Sequence, residues 1–242
     1  MKNIFFLLVL VSTSCSSQPT VDTIVLVNAG NAGREDLADL INSVQTLHPK
    51  VIAIDFQFSE EKHAEVDNKL IDVLSRCTNL VMPSIIDNYS AAKPFQSKLI
   101  PGSLPKFTKN AKTGFANLIV EDDGLLKRFS QLEYVNGKTE YSFPLQTAYQ
   151  YDSLKVRDYR PKHSNFVKVY FGDGIRRFNR FSISDFLAGK VRESDIEGKI
   201  VMIGFLGPGD EDKFSAPIPG SKGLNIYGLE FHAQVVSQIL NF

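Results

Sequence analysis

Asp22-Thr23-Ile24-Val25-Leu26-Val27, broken at Gly30 and Gly33; Leu37, Leu40, Ile41, Val44 and Leu47 at helical spacing; then Val51-Ile52-Ala53-Ile54-Asp55: this stretch decides the fold. Its first and last runs are short, continuous and rich in β-branched residues. Such runs read as strands buried on both faces. Between them the apolar residues recur three and four apart, the stripe of an amphipathic helix, and the stripe stops before Pro49. A second round follows. Val66, Leu70, Val73, Leu74 and Cys77 mark another helix, and Leu80-Val81-Met82 before Pro83 marks a third strand. The order is β-α-β-α-β. Crossovers of helix length imply parallel strands joined by right-handed connections.

The pattern changes further along. Residues Ile86 to Thr113 carry Pro94, Pro101 and Pro105 and read as an irregular excursion. Phe115 to Val120, Leu125 to Val135 and Thr139 to Phe143 read as antiparallel strands. They are joined by Asp122-Asp123-Gly124 and by Asn136-Gly137-Lys138, and Asn-Gly is a strong hairpin signal. Phe166 to Phe171 is expected to turn back through Gly172-Asp173-Gly174 into Ile175 to Phe181. Ser184 to Leu187 makes a short helix, which Gly189 ends. Ile200 to Ile203 is a last buried strand. A Gly/Pro/acidic loop, Gly204 to Gly223, leads to a final helix from near Gly228, with Leu229, Ala233, Val236, Ile239 and Leu240 on one stripe. The expected fold is one α/β domain. Its central sheet is mixed, parallel at the start, with an antiparallel hairpin insertion and flanking helices.

The N-terminus reads as a secretory leader. Met1-Lys2-Asn3 is a basic n-region, Ile4 to Val11 is uncharged and apolar, and Ser12-Thr13-Ser14-Cys15 is a small-residue cleavage site. The apolar run is far shorter than the roughly 18–20 residues a membrane-spanning helix needs. A small residue before Cys15, directly after such a run, resembles the lipobox of bacterial lipoproteins, although Ser12 stands where Leu is usual. That resemblance implies export across the inner membrane and a lipid anchor at Cys15, with Ser16 to Asp22 as tether. Ser16 rather than Asp after the cysteine resembles sorting to the outer membrane, on its periplasmic face. Cys77, on the apolar stripe of its helix, is expected to be a buried thiol, the alternative being a Cys15–Cys77 disulfide.

Acidic and basic residues balance at 27 each, and neither sign dominates a long stretch, so nucleic acid is not an expected partner. There is no Gly-x-Ser-x-Gly elbow, and His48, His63 and His163 are scattered without metal-ligand spacing. No metal and no cofactor is expected. Gly30-Asn31-Ala32-Gly33 lacks the third glycine of a dinucleotide fingerprint. Asp122-Asp123-Gly124 is too short for an EF-hand and reads as a tight hairpin turn, with Arg128 paired to a carboxylate of the turn.

Taken in order, the segments resemble the CHASE2 extracellular sensor domain over residues about 22–242. The carriers are Ile54-Asp55-Phe56-Gln57-Phe58-Ser59 with Asp67 to Leu70; Gly114-Phe115-Ala116-Asn117 with Asp122-Asp123-Gly124 and Arg128; and Tyr141-Ser142-Phe143-Pro144-Leu145. Tyr170-Phe171-Gly172, Gly198 to Gly204, Asp212 to Pro217 and Gly228 to Ala233 complete the series. The family's first strand usually ends in an acidic segment; here it ends in Asn28-Ala29-Gly30. Members usually continue into transmembrane helices and an output domain, whereas this sequence stops at Phe242. The resemblance implies an envelope module that senses a small ligand or binds an envelope protein, without its own output.

Asp55 ends a buried parallel strand, and ligands of open α/β sheets bind outside such ends. Asp212 follows another such strand. The candidate ligand site is therefore Asp55, Asp212 and His232, with Glu230 nearby. The alternative is that Asp55 caps a loop and Asp212 orders a turn. Glu230 and His232 are two apart, so they face different sides of a helix, and His232 is expected in the core as a hydrogen-bonded histidine. The competing functions are a divalent-cation-dependent hydrolase using Asp55, Asp212 and His232, and a structural envelope protein that docks a partner through Ile86 to Thr113.

Overall fold

A computed structural model of the chain describes residues 23–87, 98–100, 102–135, 137–172 and 178–242. The leader, Cys15 and the tether lie outside them. So do residues 88–97 and Pro101 of the excursion, Asn136 of the hairpin turn, and residues 173–177.

The opening stretch folds as its pattern requires. β1 (Ile24–Asn28), α1 (Arg34–Gln45), β2 (Val51–Ile54), α2 (Ala64–Arg76) and β3 (Leu80–Asp87) follow one another. β4 (Lys98–Ile100) pairs antiparallel with the far end of β3, α3 (Pro105–Thr108) follows, and β5 (Lys112–Phe115) pairs parallel with β3. Next come β6 (Arg128–Ser130), β7 (Leu132–Val135), β8 (Lys138–Tyr141), α4 (Phe143–Tyr151), α5 (Ser153–Tyr159) and β9 (Phe166–Lys168). The last group is β10 (Asn179–Ser182), α6 (Ile183–Leu187), α7 (Glu193–Ile196), β11 (Ile200–Gly204), β12 (Lys213–Phe214), β13 (Ile226–Tyr227) and α8 (Gly228–Leu240).

Six strands run parallel, in the order β10-β1-β11-β2-β3-β5, with β4 the antiparallel addition. β1 and β2 are not neighbours, because β11 lies between them with Val25 opposite Val201 and Val201 opposite Ile52. The period-2 alternation divides the core. Ile24, Leu26, Val51, Ala53, Ile200 and Met202 face α4, α5 and α8. Val25, Val27, Ile52, Ile54, Val201 and Ile203 face α1, α2 and α6. All these strand residues are buried, which is why their runs are continuously apolar.

Three expectations are corrected. β9 and β10 do not form a hairpin: β9 pairs with β6, and β10 joins β1 at the sheet's edge. β5 takes the end of the expected irregular excursion, Lys112 and Thr113, and Phe115, the expected start of an antiparallel strand, into the main parallel sheet. The expected strand at Thr139 to Phe143 ends at Tyr141, and Phe143 starts α4 with Pro144 in its first turn, where the missing N–H costs nothing. Asp152 then caps α5, accepting from the N–H groups of Leu154 and Lys155. The β7–β8 hairpin forms as expected. Arg128 pairs with Glu121, 2.6 Å from Nε to Oε1. Cys77 is buried, and burial pushes its thiol pKa up.

α1 and α2 are tied by a buried ion pair. Arg34 bonds Asp67, whose other oxygen accepts from Lys106 Nζ at 3.0 Å. Burial alone would raise the Asp67 pKa; the bonds from Lys106, Arg34 and the Lys62 N–H outweigh it and hold the carboxyl at about 2.

β5 and α4 pack backbone to backbone. A Cβ at Gly114 would stand 2.8 Å from Phe143 Cα and 2.9 Å from its N. Gly114→Ala should therefore lower unfolding free energy by about 1–3 kcal/mol, as overpacking does. Chemical denaturation checks this, and an unchanged midpoint would show that the two elements separate easily.

Candidate functional site

The site begins at the carboxyl ends of the central strands. β1 leads into α1 on one face, while β11 leads towards α8 on the other, so their adjacent ends open a crevice of the kind that receives ligands in open α/β sheets. Asn28 stands at the end of β1. Its Oδ1 accepts from the Gly30 N–H at 2.9 Å and the Leu206 N–H at 3.0 Å, and its Nδ2 donates to Gly207 O at 3.1 Å. It thus fixes the loop leaving β11 against the loop leaving β1.

Asp55 ends β2. Its N–H donates to Ile203 O at 2.8 Å, which carries the β2–β11 ladder one residue further. By alternation its side chain shares the face of Val51 and Ala53, the face covered by α8. It is half-buried. Asp212 comes from the loop after β11, at a φ of 59°, a left-handed conformation that Asp tolerates better than most residues. Its carbonyl accepts the N–H of Gly228, the first residue of α8, at 3.0 Å. Its carboxylate lies where a Gly228 side chain would be: a Cβ there would be 2.8 Å from Oδ2. Only glycine lets the helix start approach this closely.

The structure brings Asp55 and Asp212 together electrostatically. Burial first, and the Asp212 charge second, push the Asp55 pKa up from 3.8 to about 7. Asp212 is also raised by burial, against the lowering effect of the Gly228 N–H. Two carboxylates in one crevice thus favour holding a proton or sharing a cation.

Glu230 and His232 do not join them. Glu230 is 4% exposed and committed elsewhere: one oxygen bonds Arg180 on β10, and the other accepts the Tyr227 N–H at 2.8 Å as a capping-box bond. His232 lies in the core, edge-to-face with Phe143 at a centroid distance of 5.3 Å. Its Nδ1 is buried without a hydrogen-bond partner, where a bonded histidine was expected. Burial lowers its pKa from 6.5 to about 4, so the ring is neutral. Among the described residues no group of three or more His, Cys, Asp or Glu side chains could hold a metal ion, so the hydrolase reading lacks a third ligand. Sequence reasoning missed Asn28, Arg180 and the Arg34–Asp67 pair. Only Asn28 carried a local signal, an Asx residue two before a turn glycine.

The chain matches the CHASE2 domain over residues 21–242. It belongs to the CHASE2 family. CHASE2 domains are extracytoplasmic sensor domains, typically non-catalytic. No curated protein and no solved structure gives a significant match. Among the described residues no helix is long and apolar enough to cross a membrane. The CHASE2 segment around Asp67 now has a physical role, since that aspartate is the buried partner of Arg34.

Asp55 and His232 pull stability in opposite directions with pH. The folded Asp55 value lies above the usual one, so the stability from its proton is complete below about 3.8 and lost as pH rises through about 7. The folded His232 value lies below the usual one, so its contribution is complete above 6.5 and lost as pH falls through about 4. Asp55→Asn removes the first slope and leaves the second. The variant should lose about 1–3 kcal/mol more than wild type between pH 6.5 and pH 4, the full Asp55 shift being discounted for its partial exposure. Urea titrations across that range measure it, and equal slopes would mean that Asp55 ionises like a surface carboxylate.

Proposed function

We propose that this CHASE2 domain is a cell-envelope module, lipid-anchored through Cys15 to the outer membrane's periplasmic face, that senses a small ligand or binds an envelope protein. Its contacts gather at the carboxyl edge of the sheet. The observation that carries the reading is Asp55: an acid at the end of a central strand, raised to about 7 by burial and by Asp212. Cores do not need such a group, and burying it costs the fold stability when it ionises. A ligand offering a cation or a hydrogen-bond donor relieves that cost on binding, so its affinity is linked to the crevice. Glu230 and His232 support this edge from behind, Glu230 by holding β10 to the start of α8.

A thermal-shift panel of divalent cations, metabolites and cell-wall fragments tests the sensor. Ligand at 100 times its Kd adds about 2.7 kcal/mol, which for a domain of this size moves the midpoint by about 5–10 °C. The shift should shrink in Asp55→Asn. A panel that leaves the midpoint unmoved would turn the reading towards protein binding alone. Membrane attachment has its own test: Cys15→Ala should move the protein from the membrane fraction to the soluble fraction, and retention in membranes would remove the anchor.

A further inference from the structure

α8 runs for 13 residues from the Asp212 crevice, about 18 Å at 1.5 Å per residue, and a second cleft opens at its far end. There Lys155 Nζ bonds Leu240 O at 2.7 Å, and Phe242 packs edge-on to Tyr159 and His163. The cleft encloses about 470 Å³. Gln131, Arg157, Arg160, His163 and Asn165 are among the residues that line it.

Three features of this cleft have no use in holding the fold. First, none of its lining residues is acidic, and among the described residues no ion pair joins Arg157 or Arg160 to a carboxylate. Second, Arg160 is fixed by Nη1, which donates to Tyr141 Oη at 2.9 Å, yet its Nε is buried without a partner. Third, Gln131 is 2% exposed; its Nε2 donates to Ser164 O at 2.7 Å, while its Oε1 is buried without a donor. Buried polar groups are normally paired, so an orphan donor and an orphan acceptor on two residues that line one cleft are points where a bound group reaching in beside them would complete the bonding. A donor on a cation asks for an oxyanion, and an amide oxygen asks for a hydroxyl or ammonium. His163 is a rigid wall: its Nδ1 bonds Tyr159 O at 2.8 Å, and its ring stacks on Tyr159 at 4.0 Å.

We propose that the Arg157–Arg160–Gln131 cleft binds a small molecule bearing an oxyanion, phosphate or carboxylate, next to a hydrogen-bond donor. The two guanidinium groups take the oxyanion, and Gln131 Oε1 takes the donor. Asp55 and Asp212 have no part in it, so the site stands whether or not the sheet-edge crevice binds a ligand.

The test is an NMR titration of the 242-residue chain with glycerol 3-phosphate, lactate, inorganic phosphate and glycerol. Glycerol 3-phosphate or lactate should shift the amide signals of Gln131, Arg160 and Asn165 with a Kd of about 1 mM or tighter, and which of the two binds distinguishes phosphate from carboxylate. Glycerol should not bind, and inorganic phosphate should bind several-fold more weakly. Arg157 is exposed, so Arg157→Gln should weaken binding about tenfold without moving the melting temperature. Asp55→Asn should leave binding intact. No shift at those signals from any probe, or an unchanged Kd in Arg157→Gln, would overturn the proposal. Phosphate binding as tightly as glycerol 3-phosphate would overturn the role given to Gln131.

Discussion

The β1–β11–β2 ladder is the interaction on which the remaining structure depends. Residues 200–204 slot between two strands that were complete by residue 54, and every residue of the three strands except Asn28 is buried. Without β11, β1 and β2 have no direct partner in each other, and the α1 crossover spans a gap. The helices depend on it as well, because α8 follows β11 and packs on the face that β11 completes. Assembling the sheet therefore requires closing a loop of well over a hundred residues, a topology that favours slow, non-local folding. The candidate crevice inherits the same dependence. Asp55 is supplied by β2, and Asp212 by the loop beyond β11, so the pair exists only once the ladder has closed.

What the sequence made legible follows from what is local. The runs at β1, β2, β3 and β11 were readable because both faces are buried and nothing polar interrupts them. α1, α2 and α8 were readable from their stripes. β10 was misread because Gly172-Asp173-Gly174 looks like a hairpin turn, whereas its actual partner, β1, is about 150 residues away and leaves no mark on local chemistry. α4 was missed for a related reason. Tyr141-Ser142-Phe143 is aromatic and β-like, and the helix signal was Pro144 in a first turn, with Asp152 as the cap of the next helix.

The site was legible to the same extent. Strand ends pointed to Asp55, which directly follows a buried strand and so sits at the sheet's edge, and to Asp212, which lies farther on in the Gly-rich loop after β11. Nothing local distinguishes Asp67 from the surface acids of its helix, although it is 1% exposed and bonded to Arg34, whereas Glu65 on the same helix is exposed. A buried ion pair requires both partners and their hydrogen bonds at once, so only the docking of α1 on α2 reveals it. His232 shows the converse: spacing placed it in the core, and the core leaves its Nδ1 unpaired.

α8 gives the domain a way to relate its two ends. Apart from Gln238, every residue from Gly228 to Leu240 is buried. On one side it lies on the sheet. On the other, Gln234 and Gln238 bond the carbonyls of Tyr170 and Lys168, so the helix is clamped between layers. Packed interiors have few voids into which such a rod could bend. Its first residue touches Asp212, and its last turn bonds Lys155, two residues from Arg157. The same packing keeps His232 desolvated: its ring lies edge-to-face with Phe143 of α4, so protonating it would require opening the α4–α8 contact. His232 on α8 and Asp55 at the end of β2, beside Gly204 and Leu229, thus both owe their desolvation to how α8 is seated on the sheet.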